Sequence, residues 1–275
     1  MDCSMMDEKL ISSSLDIYTP KFLATADRDG VPNVVPVISI EAWDAGTLIF
    51  GELMILKTKK NLEENPRVGI AVITKELNSW VLKGEFEGFE RTGEKYDRIG
   101  MRDMYRYNAY TGLRNVGTIR VTQSKRVKGM LSPARVVETG TGAISSNRVK
   151  FGHTGPMPPQ VTEKFSRLNA AKVISYVDSD GHPVAVPAVS LFPVSHGELL
   201  VGRGALKDLE GRLPELPMRV AASVITDDPV AYQIKGTLKG YERKGAAKFA
   251  RLIVDEVYSA SPPVPGERID RVLLS

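Results

Sequence analysis

The residues with the clearest chemistry lie at positions 57–61, where the chain reads Lys-Thr-Lys-Lys-Asn. Lys57 supplies a positive point charge, Thr58 a short hydroxyl donor, and Asn61 follows one helical turn later. The free N–H groups and the dipole at a helix start both favour an anion. The 57–61 segment therefore predicts a site for the phosphate of a bound cofactor, with Lys57 and Thr58 near the surface. The alternative is an exposed, lysine-rich loop that binds nothing.

The elements around this segment would hold it in place. An apolar strand is predicted over residues 47–51, and a short helical turn over 62–65. Pro66 ends that turn, because proline lacks an amide donor and clashes with the preceding turn. Lys59 and Lys60 are predicted to be solvated surface residues.

The remaining pattern is one of short strands and turns. Asp29-Gly30 between apolar runs indicates a hairpin, because glycine accepts a positive φ. Helical spacing of apolar residues predicts helices over 7–18 and 94–107. The predicted strands besides 47–51 are 22–26, 33–40, 67–74, 79–89 and 116–127.

The chain repeats itself. Three pairs of segments align without gaps, at offsets of 151 or 152 residues. They are 21–40 with 172–191, 67–74 with 219–226, and 83–91 with 235–243. The chain is therefore interpreted as a fused duplicate of one β-rich unit.

This repeat predicts the domain organisation. Residues 1–137 form a first unit with an intact phosphate site, and 161–275 form a second unit. The intervening 138–160, rich in Gly, Ser, Thr and Pro, is predicted to be a linker. Because a fused pair tends to mimic a two-fold homodimer, the two units are expected to pack as a pseudo-dimer.

Composition excludes several function classes. The 275 residues are 42% hydrophobic and 25% charged, which is typical of a globular protein. No apolar run approaches the ~20 residues that cross a membrane, and the N-terminus lacks a signal-peptide pattern. Cys3 is the only cysteine, so no intrachain disulfide can form. These features predict a cytoplasmic protein.

Charge and motif content narrow the candidate ligands. The net charge of +4 suits an anionic small molecule and favours neither nucleic acid nor membrane as a partner. The three histidines, His153, His182 and His196, lie in separate segments. No metal-ligand spacing and no nucleophile motif is present, so no metal site and no hydrolytic activity are predicted.

Four motifs in order carry a family resemblance. They are D-x-D-G-x-P-x-V-V-P-V (27–37), L-I-F-G (48–51), K-T-x-x-N-L-x-x-N-P-R-V (57–68) and K-G-E-F-E-G-F (83–89). In this order the chain resembles the FMN-binding split-barrel family, the pyridoxamine 5′-phosphate oxidase-like superfamily, and its small FMN-binding-protein branch in particular. The resemblance covers roughly 8–130 and, more weakly, 160–260.

The resemblance implies a mainly β fold of two tandem six-stranded Greek-key split barrels with short peripheral helices. It implies FMN at the interface between the barrels. By the same resemblance, Lys57, Thr58 and Asn61 hold the phosphate. The isoalloxazine ring would lie along Val37, Ile38 and Ser39 and the turn of Leu53, Met54 and Ile55. The arginine-rich site of oxidases acting on pyridoxamine phosphate is absent from the sequence.

The implied function is an FMN-dependent oxidoreductase with no assigned catalytic residue. Its partners would be a small-molecule substrate or an electron donor such as NAD(P)H, and a further homo-oligomer stays open. Two alternatives also stay open: a non-catalytic electron carrier, and a split barrel that holds haem or a deazaflavin. In the second unit, Asp208 and Leu209 stand where the first has Lys57 and Thr58. One FMN per chain is therefore expected. The alternative is a rebuilt second site, since a shift of one register restores Lys207, with Arg203 and Arg212 nearby.

Overall fold

The computed structural model describes residues 5–103, 112–146, 155–207, 209–262 and 265–270. Within these ranges the fold is mainly β, as predicted. The first half contains α1 (Glu8–Leu15), β1 (Lys21–Ala26), β2 (Pro32–Pro36), β3 (Glu41–Ala42), β4 (Thr47–Gly51), α2 (Leu56–Glu64), β5 (Arg67–Ile73), β6 (Ser79–Glu90), α3 (Glu94–Gly100) and β7 (Val116–Arg126).

The second half contains the counterparts of these strands. Its elements are α4 (Pro133–Ser146), α5 (Pro159–Ser166), β8 (Ala171–Val177), β9 (Pro183–Pro187), β10 (Leu191–Pro193), β11 (Glu198–Gly202), a short 3-10 helix (Arg203–Leu206), β12 (Met218–Ile225), β13 (Ala231–Lys244) and β14 (Ala247–Ser259).

Each half forms one seven-stranded antiparallel sheet. The strand order is β2-β1-β5-β6-β7-β4-β3 in the first sheet and β9-β8-β12-β13-β14-β11-β10 in the second. The two orders are identical when each strand is matched to its sequence repeat, which confirms the duplication. Each sheet has seven strands rather than six because a short strand, β3 or β10, pairs with the edge of β4 or β11.

The predicted hairpin occurs in both halves. Gly30 has φ 76° and Gly181 has φ 74°, in the left-handed region that favours glycine. The preceding carboxylates, Asp27 and Asp178, accept hydrogen bonds from backbone N–H groups of these turns. The Asp-x-Asp-Gly pattern thus specifies the same turn twice.

The two halves share an apolar interface. Strands β1, β2 and β5 pack against β8, β9 and β12. The backbones approach most closely at Gly69, where an added Cβ would lie 2.5 Å from the carbonyl oxygen of Pro183. One apolar cluster draws buried residues from both halves: Phe22, Ala24, Val34, Ala71 and Ile73 with Val173, Ala185 and Ala221.

Helix α2 is longer than the predicted turn over 62–65. It begins at Leu56, so Lys57 and Thr58 lie in its first turn rather than in a loop ahead of 62–65. Nothing before Pro66 breaks the helix, and lysine and leucine are good helix formers.

The predicted linker 138–160 contains the end of α4 and the start of α5, and 147–154 lie outside the described residues. Glycine and threonine weaken the local helix signal of α4. Packing against β10 and β14 supplies the stabilisation that the local sequence lacks. At Gly142, an added Cβ would lie 2.5 Å from the Phe192 ring. The division at 1–137 and 161–275 stays a prediction.

Two other predicted elements are shorter in the structure. Strand β2 ends at Pro36 rather than at residue 40. Proline has no N–H to continue a ladder. Helix α3 ends at Gly100, and the last residues of the predicted 94–107 helix lie outside the described residues.

Candidate functional site

The candidate site begins at the first turn of α2. Ile55 precedes the helix, and its side chain does not cap the helix N-terminus. The first N–H groups of an α-helix have no partner within the helix. Lys57 is exposed at this end, and its Nζ lies 4.8 Å from the centroid of the Tyr258 ring in the second half. The start of α2 therefore faces a strand of the other half.

Thr58 and Asn61 point inward, toward the first sheet. Thr58 is 1% exposed, and its Oγ1 accepts a hydrogen bond of 3.2 Å from Nδ2 of Asn33. Asn61 is 3% exposed, and its Nδ2 donates a hydrogen bond of 3.0 Å to Oγ1 of Thr25. The expectation that Thr58 lies near the surface is wrong, because helical spacing puts 58, 61 and 62 on the buried face of α2.

A buried polar network extends from this face into the second half. Gln233 on β13 is 2% exposed. Its Nε2 donates to Oδ1 of Asn33 at 3.1 Å and to the carbonyl of Val34 at 2.6 Å. Thr58 is thus linked through Asn33 to Gln233, so both halves position the start of α2.

Lys235, two residues after Gln233, brings a second ammonium group to Lys57. It is 1% exposed on β13. Burial and the neighbouring Lys57 ammonium lower the pKa of Lys235 to about 7, although Glu256 and Asp27 oppose the shift. Glu256 is itself engaged, accepting from Tyr258 Oη at 2.6 Å and pairing with Arg219 at 2.6 Å.

The equivalent position in the first half is neutralised. Lys83 on β6 corresponds to Lys235 and forms an ion pair with Asp178 of the second half. Both side chains are buried, at 7% and 3% exposed. Burial opposes ionisation of Asp178, but hydrogen bonds from Lys83 and from backbone N–H groups hold its pKa below the usual value. The two pseudo-symmetric sites therefore differ in charge.

The residues expected along the ring are partly covered. Val37 and Ser39 are buried, and Ile38 and the turn of Leu53, Met54 and Ile55 are partly buried. Ser39 Oγ accepts a hydrogen bond of 3.0 Å from the Gly51 amide, so it stabilises the link between β4 and residues 37–40. A contact between these side chains and a flavin stays a prediction.

The two neighbouring lysines behave differently from each other. Lys59 Nζ pairs at 2.9 Å with Glu52, whose side chain is 4% exposed. The prediction that Lys59 is merely solvated is therefore wrong, because a buried carboxylate needs a partner. Lys60 has a 74% exposed side chain and is a surface residue, as predicted.

Sequence reasoning missed Lys235, Gln233 and Tyr258. One signal was available: Gln233 and Lys235 lie at alternate positions near the start of β13, which places both on the same face. Nothing local indicates that this face meets Lys57.

Other site types find no support in the described parts of the chain. These residues contain no group of three or more His, Cys, Asp or Glu able to hold a metal ion. His196 Nδ1 lies 2.9 Å from Thr162 Oγ1, and His153 is outside the described residues. No helix in the described ranges is long and apolar enough to cross a membrane.

Sequence comparison finds a family match in the first half of the chain and a curated relative over 71 residues. Residues 19–138 match the family described as pyridoxamine 5′-phosphate oxidase. An uncharacterized protein of Methanocaldococcus jannaschii, MJ0282, is 35% identical over 71 residues, which is 25% of this chain and 48% of that protein. The chain thus spans about half the length of this curated relative.

Structure comparison finds similar chains that each cover less than half of this one. HupZ of Group A Streptococcus is 25% identical, with TM-score 0.39, over 45% of this chain and 95% of its own. An FMN-binding protein of Syntrophomonas wolfei is 21% identical, with TM-score 0.39, over 45% and 89%. HutZ, the heme storage protein of Vibrio cholerae, is 21% identical, with TM-score 0.34, over 46% and 96%.

The family match lies in the first half, which also carries the four ordered motifs. Both halves form the same antiparallel sheet. Over residues 19–138, the first half of the chain is therefore similar to the pyridoxamine 5′-phosphate oxidase family.

Proposed function

We propose that this protein binds FMN between its two halves, with the phosphate at Lys57 and Lys235, and acts as an oxidoreductase on a small molecule. The observation that carries the proposal is the approach of two ammonium groups, one from each half, at the start of α2.

This approach is unfavourable, and the nearby carboxylates of Glu256 and Asp27 offset it only in part. Burial raises the cost of ionising Lys235, and the like charge of Lys57 adds to it. The pKa of Lys235, lowered to about 7, records that cost. A phosphate dianion would offset both charges and restore the ammonium form of Lys235. Both lysines are therefore better explained as ligands than as packing residues.

The donor set fits a phosphomonoester. Lys57 and Lys235 supply charge, and the first turn of α2 supplies N–H groups. The Thr58 hydroxyl is buried against Asn33 and so holds the start of the helix in place. When bound, FMN would supply the capacity to accept a hydride or electrons, while the protein supplies binding and orientation.

Titration of the purified protein with FMN tests this proposal. Lys57→Gln and Lys235→Gln should each weaken FMN binding by about 10- to 150-fold, because a hydrogen bond to a charged group contributes ~1.5–3 kcal/mol. Lys60→Gln, an exposed lysine of the same helix, is the matched control and should bind as wild type does. Equal dissociation constants in all four proteins would overturn the assignment.

Two further measurements separate the alternatives. Riboflavin lacks the phosphate, so its affinity should not change between wild type and the Lys57 and Lys235 variants. An oxidoreductase should turn over with NADH or NADPH in stopped-flow reduction, whereas an electron carrier should react slowly with both. The absorption spectrum distinguishes FMN from haem or a deazaflavin.

A further inference from the structure

Helix α4 turns both of its charged side chains inward, against the second half. Arg135 Nη2 donates to the Gly204 carbonyl at 2.6 Å, and Glu138 Oε1 accepts from the amide of the same residue at 3.2 Å. Each of the other four α-helices in the described ranges exposes at least one charged residue. A surface helix normally presents its polar and charged face to solvent, so α4 is an exception.

The place of α4 in the fold does not explain this exception. Helix α3 packs on β4 and β7 of the first half, and α4 packs on their counterparts, β11 and β14, in the second. Helix α3 exposes Glu94 and Asp97. Helix α4 instead exposes Val137 and Ile144, at 44% and 59%. Two helices that cover equivalent strands therefore have opposite outer surfaces.

Exposed apolar side chains are concentrated on and beside this helix. The described parts of the chain contain ten large hydrophobic residues that are exposed. Four of the ten lie within or just before α4: Leu131, Val136, Val137 and Ile144. A contiguous exposed apolar patch of this kind indicates an interaction surface.

The spacing along α4 fits a second helix. Pro133, Val137, Gly140 and Ile144 follow one another at intervals of four, three and four residues, which is the spacing of a seam between two packed helices. A Cβ added at Gly140 would meet nothing within 4 Å, so this glycine faces open space. A helix backbone can approach closely there, because glycine has no side chain.

We propose that this face of α4 binds the same face of a second copy of the chain, with the two helices antiparallel about a two-fold axis. Because neither face presents a charge, the contact brings no like charges together, and each copy supplies the apolar surface that the other lacks. The arrangement places Val137 against the partner's Ile144, with Gly140 near the axis. It uses none of the residues assigned to FMN.

Charge near the helix favours the antiparallel orientation. Three cations flank the first turns of α4: Arg203, Arg243 and Lys248. A parallel pair would bring the two sets of cations together, whereas an antiparallel pair keeps them at opposite ends of the contact. A membrane surface fits this helix less well. Helices that lie in a membrane interface carry Lys and Arg along their polar face, and the one cation of α4 is turned inward.

The size of the contact predicts weak association. Helix α4 has 14 residues, which makes it about 21 Å long at ~1.5 Å per residue. One face of such a helix is smaller than the roughly 800 Å² per partner of a standard stable interface. We therefore expect a dissociation constant on the order of tens of micromolar.

Sedimentation velocity of the full chain, from about 1 to about 300 µM, tests the proposal. Wild type should change from monomer to dimer across this range. Val137→Glu and Ile144→Glu should each raise the dissociation constant by at least about tenfold, because each puts an unpaired charge into the contact. Leu168→Glu is the matched control: it changes a leucine that is 68% exposed outside this face, and it should dimerise as wild type does.

The double variant Val137→Glu/Ile144→Lys tests the orientation. It places a carboxylate opposite the partner's ammonium at both ends of an antiparallel pair, so it should dimerise more tightly than either single variant. The proposal is overturned if wild type stays monomeric, if the two Glu variants dimerise like wild type, or if the double variant gains nothing over the single ones. Sedimentation with vesicles of phosphatidylcholine and phosphatidylserine adds a further test. Vesicle binding by a monomeric wild type, lost in Val137→Glu, would assign the face to a membrane instead.

Discussion

Lys83 and Lys235 occupy equivalent positions in the two halves, yet Lys83 is paired with a buried carboxylate and Lys235 faces another lysine. Asp178 neutralises Lys83 across the interface, whereas Asp27, its repeat counterpart, contributes only weakly at Lys235. The duplication has therefore produced one neutral site and one cationic site from the same backbone arrangement.

This difference predicts one FMN per chain. Near the neutral site, Lys125 donates to the Leu209 carbonyl, so a second cation of that region, besides Lys83, is already engaged. Asp208, the counterpart of Lys57, lies outside the described residues. Quantifying FMN released by denaturation against protein concentration should give a ratio near one. A reproducible ratio near two would show that both sites bind.

FMN affinity should depend on pH through Lys235. Phosphate binding favours the ammonium form and so raises a pKa that is about 7 in the free protein. Affinity should therefore fall as pH rises above about 7, by up to tenfold per pH unit, until the pKa of the complex is passed. Titrations between pH 6.5 and 9 measure this fall, and Lys235→Gln should remove most of it. An unchanged slope in that variant would exclude Lys235 as the titrating group.

The same lowered pKa affects the stability of the free protein. Between about pH 7 and the ordinary lysine value of 10.5, the unfolded chain binds more protons at Lys235 than the folded chain does. The contribution of Lys235 to the free energy of unfolding therefore rises with pH across that window. Below the window this contribution does not change with pH. Urea unfolding at pH 7 and pH 9 should show a smaller increase in Lys235→Met than in wild type. An equal increase in both proteins would contradict the assignment.

Breaking the Lys83–Asp178 pair should destabilise the protein strongly. Lys83→Ala leaves a buried carboxylate without its cation, which typically costs about 3–5 kcal/mol. Arg120→Ala is the matched control: Arg120 pairs with Glu87 at 3.3 Å, but both side chains are about half exposed, at 52% and 48%. That exposed pair should contribute less than about 1 kcal/mol. If Lys83→Ala and Arg120→Ala shifted the urea midpoint equally, burial would not determine how much an ion pair contributes to stability.

The first half alone should not be a stable monomer. Residues 1–137 would expose the apolar surface that β1, β2 and β5 present to the second half. Exposed apolar patches of this kind lead to self-association. Light scattering should show homodimers or aggregates. A monodisperse monomer would count against a shared core.

The sequence by itself determined the repeated architecture. The Asp-x-Asp-Gly turns at residues 27–30 and 178–181 require a positive φ at glycine, and this local demand is visible in the residue types. The two halves share one strand order because the same segments recur at nearly constant offsets. The anion-binding chemistry of Lys57 could also be predicted, since lysine at a helix start is a local pattern.

Only the tertiary structure decided which residues meet. Lys57 and Lys235 are far apart in the chain and approach because the two sheets pack face to face. Thr58 turns inward because Asn33 offers it a buried hydrogen bond. Glu138 lies in a segment whose local sequence indicates a linker, and packing on β10 and β14 makes it a helix. Such contacts depend on how distant segments pack in three dimensions, and local patterns carry no information about that packing.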